Sequence, residues 1–328
     1  MHSVGNSIRA VIFTMVCISI SYVLNYLLEP NSIARTNLYN IRTKQYDDIF
    51  IGTSRGMSAI NPEIVDTQTG RKSTNICMPD EHLIDSYYLV EEIFRTNNPS
   101  RIIYELDPSY WSTPQNMGEN AVYFYDEFPL STVKMKYFID KILPMDWRVV
   151  LSPWIFYRNR YIQILENIQI KQSYEYKNFL VDHLSKGAQT YTQEGYMYQI
   201  TTPEADKGNP NFLLWNEEKV LDIHHRYLKK IIDLCKKQSA ELVVITTPVS
   251  QETLSMYPEV YQSANKYFTK LMKHYGIQYR DFNSLTEREI HRSIGGYTDY
   301  EGHMSGELGN QFSVILGQYL NDVQRVKD

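Results

Sequence analysis

Three cysteines in 328 residues, Cys17, Cys77 and Cys235, exclude a disulfide framework and a zinc ribbon. Basic charge is also short. There are 33 Lys and Arg against 38 Asp and Glu, so the net charge is −5, and a nucleic-acid-binding surface usually shows as a basic excess. There is no internal repeat and no low-complexity tract. Long apolar runs are scarce as well. After the first one, the best candidate is Val149 to Tyr157, which is too short to cross a bilayer.

That first run is Ala10 to Leu28, 19 residues without a charge, preceded by Arg9 and closed by Glu29-Pro30. Its polar members, Thr14, Ser19, Ser21 and Asn25, are all tolerable in a spanning helix. About 20 apolar residues cross a bilayer core, and no A-x-A-like cleavage site stands out. The run reads as an uncleaved signal-anchor, with residues 1–9 as a short tail, 29–45 as a linker and 46–328 on one side of the membrane. Orientation is a mixed vote: Arg9 and the α-amino group lie on one side, Arg35, Arg42 and Lys44 on the other.

The rest should fold. Hydrophobic residues make up 43% and charged residues 22%. Strand-like runs at Asp47–Gly52, Ser73–Met78, Arg101–Leu106, Glu241–Thr247 and Ile277–Phe282 alternate with helical spacing at Asp80–Arg95, Glu217–Lys237, Pro258–Tyr275 and Ser305–Asp322, with Asp80 as a plausible helix cap. This is the pattern of an α/β fold, a parallel sheet sandwiched by helices. Residues 107–216 break the rhythm and read as a largely helical insertion, with helices near Val133–Ile142 and Trp147–Ile168. The 27 tyrosines are the odd number, and eleven of them fall between Tyr110 and Tyr198. Tyrosine suits wet grooves, so the insertion is a candidate substrate or partner surface.

Two short segments could carry chemistry. Ser54 follows the first strand in Ile51-Gly52-Thr53-Ser54-Arg55-Gly56. The C-terminal ends of parallel strands are where α/β sheets hold their sites, and amides opening a helix can stabilise an oxyanion. Ser54 could equally be the helix N-cap. The second segment is Tyr297-Thr298-Asp299-Tyr300-Glu301-Gly302-His303, after the last strand. An acid that orients a histidine, which in turn activates a serine, is the logic of a catalytic triad. His224 and His225 are adjacent on one helix and point apart, so they make no shared metal site, and neither a metal nor a cofactor is expected.

The blocks IGTSRGMSAINPEIV and GYTDYEGHMS together resemble the SGNH hydrolase superfamily, and more closely its membrane-anchored extracytoplasmic branch. That branch includes the D-alanyl transfer protein of teichoic acid modification and accessory proteins of polysaccharide O-acetylation. The resemblance covers about 46–106 and 240–320. It implies a flavodoxin-like three-layer fold, with Ser54 as nucleophile, His303 as general base and Asp299 as orienting acid. It implies acyl transfer or ester hydrolysis on a cell-surface polysaccharide or another cell-envelope polymer, at a bacterial membrane, in partnership with an acyl donor or a membrane-bound O-acyltransferase. It also marks Arg55, Asn75 and Asp107 for the oxyanion or substrate site. This chain departs from the pattern in three places. Asp299 and His303 have three residues between them rather than two, which leaves Glu301 as an alternative acid. Cys77 stands where relatives carry glycine, and would crowd the oxyanion hole. Glu105-Leu106-Asp107-Pro108 replaces Gly-x-Asn-Asp, so Asp107 either lines the site or only ends a strand. A non-catalytic anchored accessory protein that binds a glycan or the acyltransferase is the competing expectation.

Overall fold

The computed structural model describes residues 2–115 and 118–325. Among these, the strands are β1 (Asp48–Gly52), β2 (Ser73–Asn75), β3 (Arg101–Glu105), β4 (Gln189–Tyr191), β5 (Met197–Gln199), β6 (Glu241–Thr246) and β7 (Gln278–Asp281). Five form one parallel sheet in the order β2-β1-β3-β6-β7. Every position of β1 and β3 is buried, as expected for strands covered on both faces. The chain leaves β1 toward β2 on one side and returns to β3 on the other. Such a switch point opens a crevice at the strand ends.

The flanking helices are α1 (His2–Leu28), α2 (Ile33–Thr43), α3 (Ser54–Ala59), α4 (Pro62–Thr69), α5 (Leu83–Thr96), α6 (Asp222–Lys237), α7 (Pro258–Tyr275) and α8 (Gly306–Arg325). Two groups of them cover the sheet, α5 with α6 and α8 with α3 and α4, while α1 packs on the insertion. Local chemistry sets their ends. Pro258 opens α7, where a missing N–H costs nothing, and Gly276 closes it in the left-handed region. The cap of α5 is His82 rather than Asp80. The His82 N–H donates to Asp85 in a capping box, while Asp80 sits two residues earlier in a left-handed turn.

Four other expectations change. The helix of α1 already begins at His2, so most of the expected tail is helical. The expected linker contains α2, whose Ile33, Ala34, Leu38 and Ile41 are buried in the main core. The helix expected from Glu217 begins at Asp222, after a short 3-10 turn at Glu217–Lys219 capped by Asn216. The first expected insertion helix is present, helical without a break from Thr132 to Met145, but the second is broken into short pieces. Pro153 ends Arg148–Leu151 and starts Pro153–Tyr157, because the residue before a proline is pushed out of the helical region. The antiparallel β4–β5 hairpin was not foreseen. Its strands are three residues long, too short for a period-2 pattern to register.

Ion pairs fix the frame. The buried Asp85 carboxylate accepts from Lys141 Nζ at 2.6 Å and from Tyr137 at 2.6 Å, tying the insertion to α5. At the start of β1, Asp48 is fully buried and accepts from Arg101 and Arg71. Removing one partner of such a pair leaves a buried charge uncompensated, at a cost of about 3–5 kcal/mol. Asp48→Ala is therefore expected to lower the thermal unfolding midpoint of the detergent-solubilised chain by several degrees. An unchanged midpoint would contradict this role.

Candidate active site

The site begins with a backbone constraint. Gly52 ends β1 with φ of 140°, and it lies so close to β3 that a Cβ there would come within 2.4 Å of the Glu105 carbonyl oxygen. Only glycine fits, and the chain turns sharply into α3. Thr53 is the N-cap of that helix, its Oγ1 accepting the Arg55 N–H. The capping role that the sequence allowed for Ser54 is thus taken by its neighbour, and the Ser54 hydroxyl is left for other work. Beneath it, the buried Glu105 carboxylate accepts from the Thr53 N–H at 3.0 Å, the Thr53 hydroxyl at 2.8 Å and the Thr247 hydroxyl at 3.0 Å. Burial pushes the Glu105 carboxyl up, against the pull of Arg55.

The far end of the chain closes the arrangement. Ser54 Oγ lies 2.7 Å from His303 Nε2, and His303 Nδ1 lies 2.6 Å from Asp299 Oδ2. The three residues between acid and histidine have a physical explanation. Asp299 Oδ1 accepts the backbone N–H groups of Glu301, Gly302 and His303 at 2.9, 3.2 and 3.3 Å, so the loop wraps around one carboxylate oxygen and brings the imidazole to the other. Gly302 has φ of 106° and passes next to Arg55 Nε, which a side chain would crowd. A bridge between Tyr297 and Met304 closes the loop at its base. Of the two candidate acids, Asp299 is the one that bonds the imidazole. Glu301 lines the cavity, and burial together with Asp299 raises its carboxyl.

A cavity of about 110 Å³ opens over Ser54 and His303. Arg55, Asp107 and Tyr110 form its polar side, and Phe212, Trp215 and Tyr261 its apolar side. Arg55 is the only lysine or arginine among the described lining residues. It is buried, pairs with Asp107 at 3.5 Å and donates to the Thr247 carbonyl. Burial alone would lower its guanidinium, but Asp107 and Glu105 outweigh it and hold it above the ordinary range. Asp107 does two jobs. It caps the short helix Pro108–Trp111 and it faces the cavity.

Asn75 and Cys77 do not reach this cavity. Both Asn75 amide hydrogens are committed, to the Gly56 and Ile60 carbonyls at 2.9 and 2.8 Å, and Asn75 Oδ1 accepts the Cys77 N–H at 3.0 Å. The expected role of Asn75 in an oxyanion hole is therefore corrected to one of holding α3 onto β2. The expected crowding by Cys77 is corrected too: its sulfur is buried against Gly56, behind the helix. Of the eleven tyrosines at 110–198, Tyr110 alone lines the cavity, while Tyr123, Tyr137, Tyr157 and Tyr196 are buried in packing. The apolar wall of Phe212 to Trp215 carried no sequence signal, being an irregular segment far in sequence from both candidate site segments.

No protein-family model matches the chain, and no curated protein matches it. Among the solved structures similar to it are two bacterial proteins. One is a candidate acylhydrolase of Bacteroides fragilis, at 10% identity and a TM-score of 0.42, covering 89% of this chain and 99% of its own. The other is a GDSL-like lipase of Bacteroides thetaiotaomicron, at 10% identity and a TM-score of 0.39, with the same coverage of 89% and 99%.

The charges set a pH dependence. Burial would lower the His303 imidazole, but its bond to Asp299 prevails and raises it above 6.5. Burial would raise the Asp299 carboxyl, and the bond to His303 prevails there and lowers it. A basic imidazole is lost as pH falls through the raised value. The acid limb of any kcat/KM profile that depends on His303 as a base should therefore lie above the ordinary imidazole range. Asp299→Asn should move that limb to lower pH and cut kcat by roughly 10⁴-fold, since it removes both the charge and the tautomer control. An unmoved limb would show that Asp299 does not act on His303.

Proposed function

We propose that the chain is a membrane-anchored serine enzyme of SGNH type that transfers or hydrolyses an acyl ester, with Ser54 as nucleophile, His303 as general base and Asp299 as orienting acid. The observation that supports this most is the unbroken line of short contacts from Ser54 Oγ through the imidazole to Asp299. Ser54 Oγ attacks the acyl carbon, and its proton passes to His303 Nε2. The ester C–O bond breaks, and the same proton goes to the departing alkoxide. A second hydroxyl, from an acceptor or from water, then gives its proton to His303 and attacks the acyl carbon, the bond to Ser54 Oγ breaks, and His303 returns the proton to Ser54 Oγ. The first N–H groups of a helix have no intrahelical acceptor, so the Ser54 amide is available to the developing oxyanion. The Arg55 guanidinium lines the same cavity and adds positive charge. Asp107 positions that guanidinium.

The cavity suggests the size of the acyl group. Its volume of about 110 Å³ is less than the ~150 Å³ of a cavity that holds benzene, so it suits an acyl group of a few carbons. The acceptor is read as a hydroxyl of a cell-envelope polysaccharide, and the donor as an ester or thioester supplied at the membrane by an acyltransferase. An apolar helix tethering the domain favours substrates on that surface. The α1 segment Gly5–Leu28 is long and apolar enough to span a bilayer, and its most apolar stretch is only 6% buried.

The reading is tested with p-nitrophenyl esters of increasing chain length and the detergent-solubilised full chain. Wild type should cleave acetyl and butyryl esters far faster than octanoyl, and Ser54→Ala should lose at least ~10³-fold in kcat, with normal folding. Trp215→Ala should shift the preference toward longer chains. Full activity of Ser54→Ala, or full complementation of a deletion strain by it, would favour the accessory-protein role instead.

A further inference from the structure

The insertion does not simply sit on the sheet; it also grips the apolar anchor. The Trp154 indole N–H donates to Ser21 Oγ at 3.0 Å, and its backbone N–H donates to Asn25 Oδ1 at 2.9 Å. Ser152 and Ser21 share a hydroxyl bond at 3.3 Å. Asn167 donates to the Leu27 carbonyl, and Lys171 Nζ to the Tyr26 carbonyl. Two of the four polar residues in the anchor are thus satisfied by the insertion. Leu151 borders a groove with Phe13, Cys17 and Ser21, still further along α1.

Depth follows from helix geometry. A rise of ~1.5 Å per residue makes the uncharged run of Ala10 to Leu28 about 28 Å long, which a hydrocarbon core of ~30 Å uses in full. Leu28 therefore lies at the boundary, with Glu29 just outside. Ser21 is seven residues further in, about 10 Å below that boundary. The residues bonded to Ser21 share its depth.

The exposed surface there has the matching chemistry. Leu151, Ile162 and Leu165 are 62%, 81% and 74% exposed, and Trp147 and Tyr161 are also open. Residues 143–165 carry three arginines, Arg148, Arg158 and Arg160, and one acid, Asp146, in a chain that is otherwise acidic. Apolar side chains interleaved with arginines, with Trp and Tyr among them, are the composition of an element that lies in a membrane interface. Long basic side chains can reach back to the headgroups.

We infer that residues 147–165 of the insertion form a second membrane-contacting element, embedded in the leaflet beside the anchor. This rests on the reading of α1 as a bilayer-spanning helix. The occupant of the exposed face is lipid, because the hydrogen bonds to Ser21 and Asn25 hold that face inside the boundary wherever α1 spans. The domain is then held flush with the membrane instead of swinging on a tether.

The test uses the full chain in liposomes, in a Cys17→Ser background, with an environment-sensitive NBD label on single cysteines at Ile12→Cys, Leu151→Cys and Ile162→Cys. The native Cys77 and Cys235 are buried. All three labels should give blue-shifted emission that brominated lipid quenches and aqueous iodide does not. If iodide quenches the labels at 151 and 162 while the label at 12 stays in lipid, the inference is overturned and the anchor reading stands. If iodide quenches the label at 12, the anchor reading fails and takes the inference with it. Labels at 151 and 162 that neither agent reaches would mean that a second copy covers the face, and this too would overturn it.

Discussion

One buried carboxylate holds the site together. Glu105 ends β3, and it accepts from both the amide and the hydroxyl of Thr53 just beyond β1 and from the hydroxyl of Thr247 beyond β6. Three strand ends are thereby fixed at one point. Thr53, held in this way, caps α3 and leaves the Ser54 side chain unconstrained by its own helix. The Arg55 guanidinium, drawn to Asp107 and Glu105, frames the cavity above. An acid at this position is costly to bury, and its carboxyl is raised accordingly. Its three hydrogen bonds offset that cost.

The second constraint is the loop that carries Asp299 and His303. The two residues are placed by a local wrap of backbone amides around one carboxylate oxygen. An extra residue between acid and base is no defect here. It lets a single side chain organise its own loop and orient the imidazole together. The strand-end turn and this loop are 249 residues apart in sequence, and they meet because both lie at the same edge of one parallel sheet.

Much of this was legible in the sequence. Strands β1, β3 and β6 announced themselves as short apolar runs, and the helix expected over Pro258–Tyr275 has those bounds. Ser54, Asp299 and His303 were candidates by position and residue type, and the structure brings them together, but the sequence left open whether Ser54 only caps a helix and whether Glu301 is the acid. Asn75 could not be judged correctly, because an amide that could serve an oxyanion is equally able to bridge two carbonyls, and only packing decides which. Glu105 read as a strand residue, since burial of an acid leaves no mark in local sequence. The insertion was recognisable by its broken periodicity, but its contacts with Ser21 and Asn25 depend on a fold that brings residues over 100 positions apart together. Four of its eleven tyrosines are buried in packing, and one of the eleven lines the cavity.

The central claim is that Ser54 is made nucleophilic by His303. The most direct measurement is treatment of the full chain with a fluorophosphonate probe, followed by peptide mapping of the adduct. The account predicts one phosphonylated site, Ser54, with labelling abolished in Ser54→Ala and strongly slowed in His303→Ala. Labelling that is absent from the wild-type chain, maps to another serine, or proceeds at the same rate in His303→Ala would contradict it.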